Sequence, residues 1–149
     1  MGRGRGGYTK IQTNYKDSGG WKVTDKGSIF VAERYIDMGY EAVFRQRHPE
    51  IHLKTCDLTI KTNDDKNFIK DIEVKMTTST SPSQLAKNIK RAFAQVGSEG
   101  TVAIYLPNRK NSPDVIKYLN EGFQEAKRKI SFTGDVEVWF NDKTRIVLK

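Results

Sequence analysis

The chain has 149 residues, 36% of them hydrophobic and 30% charged, and its formal net charge is +8. This length fits one domain with a single core, and no stretch approaches the roughly 18 consecutive apolar residues that a membrane-spanning helix requires. The single cysteine, Cys56, excludes a disulfide within the chain and a zinc site built from cysteines. The positive charge favours a polyanionic partner such as nucleic acid.

The N-terminal residues 1–22 are rich in glycine and basic side chains and show no sustained apolar period. We interpret them as a flexible arm, and because they hold no apolar run we expect no secretory signal peptide there. The aromatic residues of this arm, Tyr8, Tyr15 and Trp21, either stack on unpaired bases or pin the arm to the domain. The folded domain is predicted to span residues 23–149.

The first part of this domain is predicted to form one helix and three strands. Apolar side chains recur at helical spacing between residues 29 and 36, and Gly39 is a typical helix stop. The three strands are predicted at residues 40–46, 51–62 and 68–76. Apolar and polar side chains alternate in the last two strands, and the polar residues 63–66 form the turn that joins them as a hairpin.

The second part alternates between helices and strands. Its predicted elements are a helix that ends at Gly97, a buried strand at residues 101–106, a helix that begins at Pro113, and a hairpin at residues 135–140 and 144–148. This order predicts an α/β fold in which helices flank a mixed sheet, forming three layers (α/β/α). The strands at 68–76 and 101–106 are expected to run parallel, joined by a right-handed crossover.

The predicted hairpin brings three charged side chains to one face of the sheet. Glu73 and Lys75 are two residues apart on a strand and so project from the same face about 7 Å apart, and the paired strand carries Asp57 at a neighbouring position. Two converging carboxylates repel each other unless a cation lies between them, and Mg²⁺ or Mn²⁺ prefers oxygen ligands. We therefore expect Asp57 and Glu73, helped by the Val74 carbonyl, to bind this ion, while Lys75 assists a water nucleophile.

A fourth acid, Glu33, is predicted to lie in the apolar stripe of the first helix. A carboxylate in such a stripe is costly unless it has a partner, and a metal site at the sheet surface would supply one. Taken alone, a Glu-x-Lys triplet on a strand is more common as a solvated polar face with cross-strand ion pairs. The order of Glu33, Asp57, Glu73 and Lys75 along the predicted elements is what favours an active site.

This order of elements and charged residues resembles the core of the PD-(D/E)XK, or restriction-endonuclease-like, nuclease superfamily. The resemblance implies that Asp57, Glu73 and Lys75 take the places of the family's two acids and its lysine, and Glu33 that of the frequent first-helix acid. Cys56 stands where the family's motif has proline. The resemblance further implies a metal-dependent nuclease, which hydrolyses phosphodiester bonds with Mg²⁺ or Mn²⁺ as its cofactor.

Residues 27–148 are more narrowly similar in pattern to the C-terminal toxin domains of contact-dependent growth inhibition systems. The stretches that carry the similarity include Gly39-Tyr40, residues 91–95 and residues 102–106. This resemblance implies a tRNA-cleaving toxin that acts in the cytoplasm of a target bacterium and is neutralised by a cognate immunity protein. The chain also resembles archaeal-type Holliday junction resolvases, because Lys26-Gly27 precedes the helix acid, so DNA stays open as a substrate.

The helix after the proposed active-site strand carries residues suited to nucleic acid. Lys87, Lys90 and Arg91 lie away from its apolar stripe and would hold phosphates, or would simply form a solvated face. Thr77 directly follows the strand and Gln84 lies near the start of the helix. Both would reach the scissile phosphate, or would belong to an ordinary loop and surface.

Other interpretations stay open at this stage. His48 and His52 flank Pro49 and would suit a metal-independent, histidine-based ribonuclease, although no acid partner is evident. A non-catalytic protein with the nuclease fold would bind nucleic acid without cleaving it. An adaptor for an acidic protein partner would use the same positive charge.

Overall fold

The computed structural model describes residues 16–17, 20–21, 26–44, 57–62 and 67–149. The helices within these residues are α1 (Lys26–Asp37), α2 (Pro82–Val96) and α3 (Pro113–Lys129). The strands are β1 (Lys16–Asp17), β2 (Gly20–Trp21), β3 (Glu41–Phe44), β4 (Leu58–Lys61), β5 (Phe68–Met76), β6 (Thr101–Leu106), β7 (Val136–Phe140) and β8 (Arg145–Leu148). Among these described elements, no helix combines the length and the apolar character needed to span a bilayer.

A six-stranded mixed sheet has the strand order β3-β4-β5-β6-β7-β8. Strands β3, β4 and β5 are antiparallel to one another, β5, β6 and β7 run parallel, and β8 is antiparallel to β7. Helix α1 packs on one face of the sheet, and α2 and α3 pack on the other. The predicted three-layer α/β/α fold and the parallel pairing of β5 with β6 are therefore confirmed. Strands β1 and β2 pair with each other as a separate ladder inside the segment interpreted as an arm.

Local chemistry explains where the helices begin and end. Gly39 follows α1 with a φ of 99°, in the left-handed region that glycine adopts without a steric penalty. The Ser81 hydroxyl caps α2 by accepting the Gln84 N–H at 3.3 Å. The Ser112 hydroxyl caps α3 by accepting the Val115 N–H at 3.5 Å. In both cases proline occupies the first turn, where its missing N–H costs no helical hydrogen bond.

The sheet separates two hydrophobic cores. Ile72 and Val74 of β5 point into the core beneath α1, together with Leu58 of β4. Val102 and Ile104 of β6 point into the core beneath α2 and α3. Because side chains alternate along a strand, the polar residues between Ile72 and Val74 must face the α2 layer.

Several predicted boundaries shift in the structure. Strand β3 begins at Glu41 and not at the predicted residue 40, and β4 begins at Leu58. Residues 45–46 and 51–56 of the predicted strands lie outside the described part of the chain. The predicted turn at 63–66 also lies outside it, although the antiparallel pairing of β4 with β5 fits a hairpin.

The prediction that Glu33 lies in the apolar stripe of α1 is wrong. The buried stripe of this helix includes Val31, Ala32, Tyr35 and Ile36. Glu33 is turned about 100° beyond Ala32, because successive helical residues rotate by that angle. Its side chain consequently lies on the solvent side of the stripe and is 41% exposed.

Candidate active site

Asp57 immediately precedes β4, beside the stretch of β5 that carries Glu73. Leu58 is paired with Ile72 in the antiparallel ladder, and the Asp57 N–H also donates to the Ile72 carbonyl at 3.0 Å. Because Ile72 faces α1, its strand neighbour Glu73 faces α2. Asp57 is therefore held against β5 at the start of β4, close in the fold to Glu73.

Both carboxylates are buried, and one of them is oriented by the backbone. Asp57 is 8% exposed and Glu73 only 2%. The Val74 N–H donates to Asp57 Oδ2 at 2.9 Å. A backbone N–H bonded to a carboxylate makes a charge-assisted hydrogen bond, which is stronger than a neutral one and fixes the direction of the side chain.

Lys75 adds an amine at the solvent side of this pair. Its Nζ lies 3.7 Å from Glu73 Oε2, and its side chain is 30% exposed. The three side chains of Asp57, Glu73 and Lys75 carry one net negative charge in a largely buried location. Two carboxylates that converge on one point stabilise a bound cation, because the cation relieves their mutual repulsion.

The arrangement suits a hard divalent cation. Mg²⁺ is commonly bound by one or two carboxylates together with water and substrate phosphate, and Asp57 and Glu73 meet that requirement. In the described part of the chain, no three His, Cys, Asp or Glu side chains gather around one point. The structure therefore does not bring Glu33 to the two acids. Val74 lies between Glu73 and Lys75 in sequence, and a role for its carbonyl as a further ligand stays a prediction.

Glu33 instead borders a groove of about 260 Å³ on the α1 side of the sheet. Its wall is formed by Lys26, Phe30 and Glu33 of α1, and the ends of β5 and β6 contribute Met76 and Tyr105. The guanidinium of its helix neighbour Arg34 lies 3.8 Å from the Glu33 carboxylate. The third predicted metal-binding acid thus lies on the opposite face of the sheet from the paired carboxylates.

Two of the predicted nucleic-acid contacts have polar partners within their own segments. The Thr77 hydroxyl accepts the Ser79 N–H at 3.1 Å, in the loop between β5 and α2. The Gln84 side-chain amide donates to Asn88 Oδ1 at 3.4 Å, one turn further along α2. These contacts organise the loop and the first turns of the helix beside Lys75.

Helix α2 has one flank against α3 and the other toward β4. A Cβ atom built on Gly122 of α3 would lie 2.7 Å from Leu85 Cδ2, so the two helices are in close contact. Helix α2 contacts β5 and β6, whereas α3 contacts β8 at the sheet edge. The flank of α2 that points away from α3 must therefore overlook β4 and the paired carboxylates.

Helical geometry separates the three basic residues of α2 by direction. At about 100° per residue, Gln84, Asn88 and Arg91 recur on the flank toward β4. Lys87 points outward into solvent and Lys90 turns toward the α3 side. All three basic side chains are exposed. Arg91 is consequently the one of these three best placed to contact a phosphate bound at the carboxylates.

A buried charged network on the α1 side was not predicted from sequence. Glu137 of β7 is 1% exposed and accepts hydrogen bonds from the Tyr35 hydroxyl at 2.7 Å and the Trp139 indole N–H at 2.9 Å. Lys70 Nζ lies 3.2 Å and Arg145 Nη1 3.4 Å from the same carboxylate. Burial, reinforced by the negative charge of Glu137, raises the pKa of Tyr35 well above its ordinary value. The signal for this network was a glutamate inside a strand that is otherwise apolar.

Some predicted candidates fall outside the residues that the structure describes. They are His48, His52, Cys56, Tyr8 and Tyr15. The histidine-based alternative and the stacking role of these two tyrosines therefore stay predictions.

Comparisons of the chain with protein-family models, with curated proteins and with solved structures found no match. The resemblance to PD-(D/E)XK nucleases therefore stays a prediction from motif and element order. Any assignment of function must rest on the geometry of Asp57, Glu73 and Lys75 and on the charge of the chain.

Proposed function

We propose that the chain is a metal-dependent nuclease that hydrolyses phosphodiester bonds at the site formed by Asp57, Glu73 and Lys75. The observation that carries this proposal is that Asp57 and Glu73 are both buried where β4 begins beside β5, with the partly exposed Lys75 amine 3.7 Å from Glu73. An ordinary solvated ion pair on a strand would leave its carboxylate in water. The near-complete burial of Glu73 argues against that simpler interpretation.

The residues of the site divide the chemistry between them. Asp57 and Glu73 would bind Mg²⁺ or Mn²⁺, which supplies Lewis-acid stabilisation of charge on the phosphate. The Val74 N–H holds the Asp57 carboxylate in place. Lys75 reaches solvent above Glu73 and would donate N–H bonds to a phosphate oxygen or to the attacking water.

Nucleic acid is the phosphodiester substrate that the charge supports best. The chain carries a net charge of +8, and the exposed Arg91 lies on the flank of α2 toward the carboxylates. We propose RNA, and tRNA in particular, on the resemblance to toxin domains of contact-dependent growth inhibition systems, with DNA as the alternative. In that case the chain would act in the cytoplasm of a target bacterium and would be bound by an immunity protein.

A cleavage panel tests the proposal. The protein would be incubated with tRNA, duplex DNA and four-way DNA junctions in the presence of Mg²⁺, Mn²⁺ or EDTA. We expect cleavage that EDTA abolishes, and a loss of about 100-fold or more in the cleavage rate for Glu73→Gln and Lys75→Ala. Binding of the substrate in EDTA should change much less, because these side chains act on the reacting phosphate.

Asp71→Asn is the matched control for Glu73→Gln. Asp71 is on the same face of β5, two residues earlier, and its Oδ1 accepts the Thr59 hydroxyl at 2.6 Å. This substitution should leave the cleavage rate close to that of the unmodified protein. Cleavage that survives both EDTA and Glu73→Gln would remove the metal mechanism. A folded protein that binds nucleic acid but cleaves none of the panel would instead be a non-catalytic binding protein.

A further inference from the structure

The groove on the α1 side of the sheet combines aromatic and carboxylate groups that the hydrolytic site does not use. Phe30 stacks on Tyr105, with ring centroids 4.1 Å apart and planes inclined by 16°. Met76 is 48% exposed at the same place, and Glu33 and Lys26 border the groove. The cavity is thus a mainly apolar slot with one carboxylate and one amine at its rim.

This groove and the proposed active site meet at the carboxyl end of β5. Met76 directly follows Lys75, and consecutive Cα atoms are about 3.8 Å apart. Their side chains point to opposite faces of the sheet, since neighbouring strand residues alternate. A nucleic-acid strand that crosses this edge of the sheet would place a phosphate at Lys75 and an adjoining base in the groove.

We propose that the groove binds an unpaired nucleobase that carries an amino group, from the same nucleic acid whose phosphate is held at Lys75. This inference rests on the proposed nuclease function and narrows its substrate to strands with unpaired nucleotides. Aromatic side chains such as Tyr105 stack on any base, and a carboxylate such as Glu33 accepts hydrogen bonds from an exocyclic amine. Adenine, cytosine and guanine carry that amine, and uracil lacks it.

The chemistry of the rim favours a base over an apolar peptide side chain. An apolar peptide side chain filling the slot would remove water from the Glu33 carboxylate and offer it no hydrogen bond, which costs free energy even with the Arg34 guanidinium 3.8 Å away. A base offers a flat apolar face to the aromatic rings and a donor to the carboxylate. Lys26 adds a positive charge for the neighbouring phosphate. A base inside a continuous duplex is stacked and paired, and so would not enter the groove.

Binding measurements without catalysis test this proposal. Fluorescence anisotropy in EDTA would compare labelled single strands of adenine, cytosine or uracil ribonucleotides of equal length. We expect the adenine and cytosine strands to bind about tenfold more tightly than the uracil strand. Glu33→Ala should abolish most of this difference, because it removes the oxygen atoms that would accept a hydrogen bond from the amino group.

Two charge-matched variants of β5 separate the groove from the general electrostatics of the chain. Met76→Glu places a negative charge in the groove, whereas Phe68→Glu places the same charge at the other end of the strand, where the side chain is 61% exposed. Both positions are exposed, so both variants should fold, which circular dichroism would verify. Met76→Glu should weaken binding of the adenine strand about tenfold or more, and Phe68→Glu only slightly.

The failure of this inference is distinguishable from failure of the nuclease proposal. Three results would each overturn the groove proposal and leave EDTA-sensitive cleavage unaffected. They are equal effects of Met76→Glu and Phe68→Glu on binding, equal affinity for the adenine and uracil strands, and equal affinity for a single strand and a continuous duplex. If the protein shows the expected base preference but cleaves no nucleic acid, the base-binding groove is supported and the nuclease proposal is wrong. An apolar peptide that displaces the adenine strand without any nucleotide preference would assign the groove to a protein partner instead.

Discussion

Replacing Glu137 with alanine tests how firmly α1 is fixed to the sheet. The carboxylate lies beneath α1 and accepts hydrogen bonds from Tyr35 of that helix and from Trp139 of β7. Lys70 of β5 and Arg145 of β8 complete the network with ion pairs. Removing one member of a buried charged network costs about 3–5 kcal/mol, because the remaining partners stay buried without their acceptor.

The expected loss on removing Glu137 can be compared with the free energy of unfolding of the whole domain. A domain of this kind has a free energy of unfolding of about 5–15 kcal/mol, so Glu137→Ala should remove a large fraction of it. The melting temperature should fall by about 10 °C, from about 2–4 °C for each kcal/mol. Glu137→Gln preserves the volume and one acceptor oxygen but loses the charge, so its loss should be intermediate. Urea unfolding, followed by circular dichroism at neutral pH, would measure the free energy of unfolding of the unmodified protein and of both variants.

An exposed ion pair supplies the control for this experiment. Glu125 Oε2 lies 3.0 Å from Lys129 Nζ, one turn apart on α3. Pairs of this kind contribute about 0.5 kcal/mol or less, so Glu125→Ala should change the free energy of unfolding very little. A loss for Glu137→Ala no larger than that for Glu125→Ala would refute the reasoning, because it would mean that the buried carboxylate contributes no more than a surface one.

Three further predictions follow from other parts of the molecule. Burial raises the pKa of Tyr35 above its ordinary value of 10.0, so the unfolded chain ionises first and stability falls as the pH rises above that value. Tyr35→Phe removes this component, so between about pH 10 and pH 11 its free energy of unfolding should fall by about 1 kcal/mol less than that of the unmodified protein, as measured by urea unfolding. Arg91→Ala should weaken RNA binding and reduce the slope of log affinity against log salt concentration by about one. Lys90→Ala should have a smaller effect on both, because only Arg91 points toward the carboxylates. Equal slopes for the two variants would contradict the assigned directions. Gly122→Ala should cost about 1–3 kcal/mol, since the new Cβ would lie 2.7 Å from Leu85 Cδ2 and 2.9 Å from a backbone carbonyl of α2. An unchanged melting temperature would show that α2 and α3 separate easily.

The order and type of the regular elements could be predicted because their signals are local. Strands β5 and β6 begin and end at the predicted residues. The alternation of side chains along a strand, the Ser-Pro pairs that begin α2 and α3, and the glycine that follows α1 each act within a few residues. The shared face of Glu73 and Lys75 belongs to the same class, because alternation along a single strand assigns their faces.

The sequence by itself thus determined which side chains of a strand point the same way, and tertiary structure decided which of those faces is covered. Glu137 alternates in β7 as a solvent-facing residue would, yet it is buried because α1 lies over that face and brings Tyr35 from 102 residues away. Glu33 was expected beside the paired carboxylates, but α1 packs on the other face of the sheet, where Glu33 borders the groove with Tyr105. Helix rotation and layer packing depend on the contacts of the whole core, and no short segment of the chain encodes them.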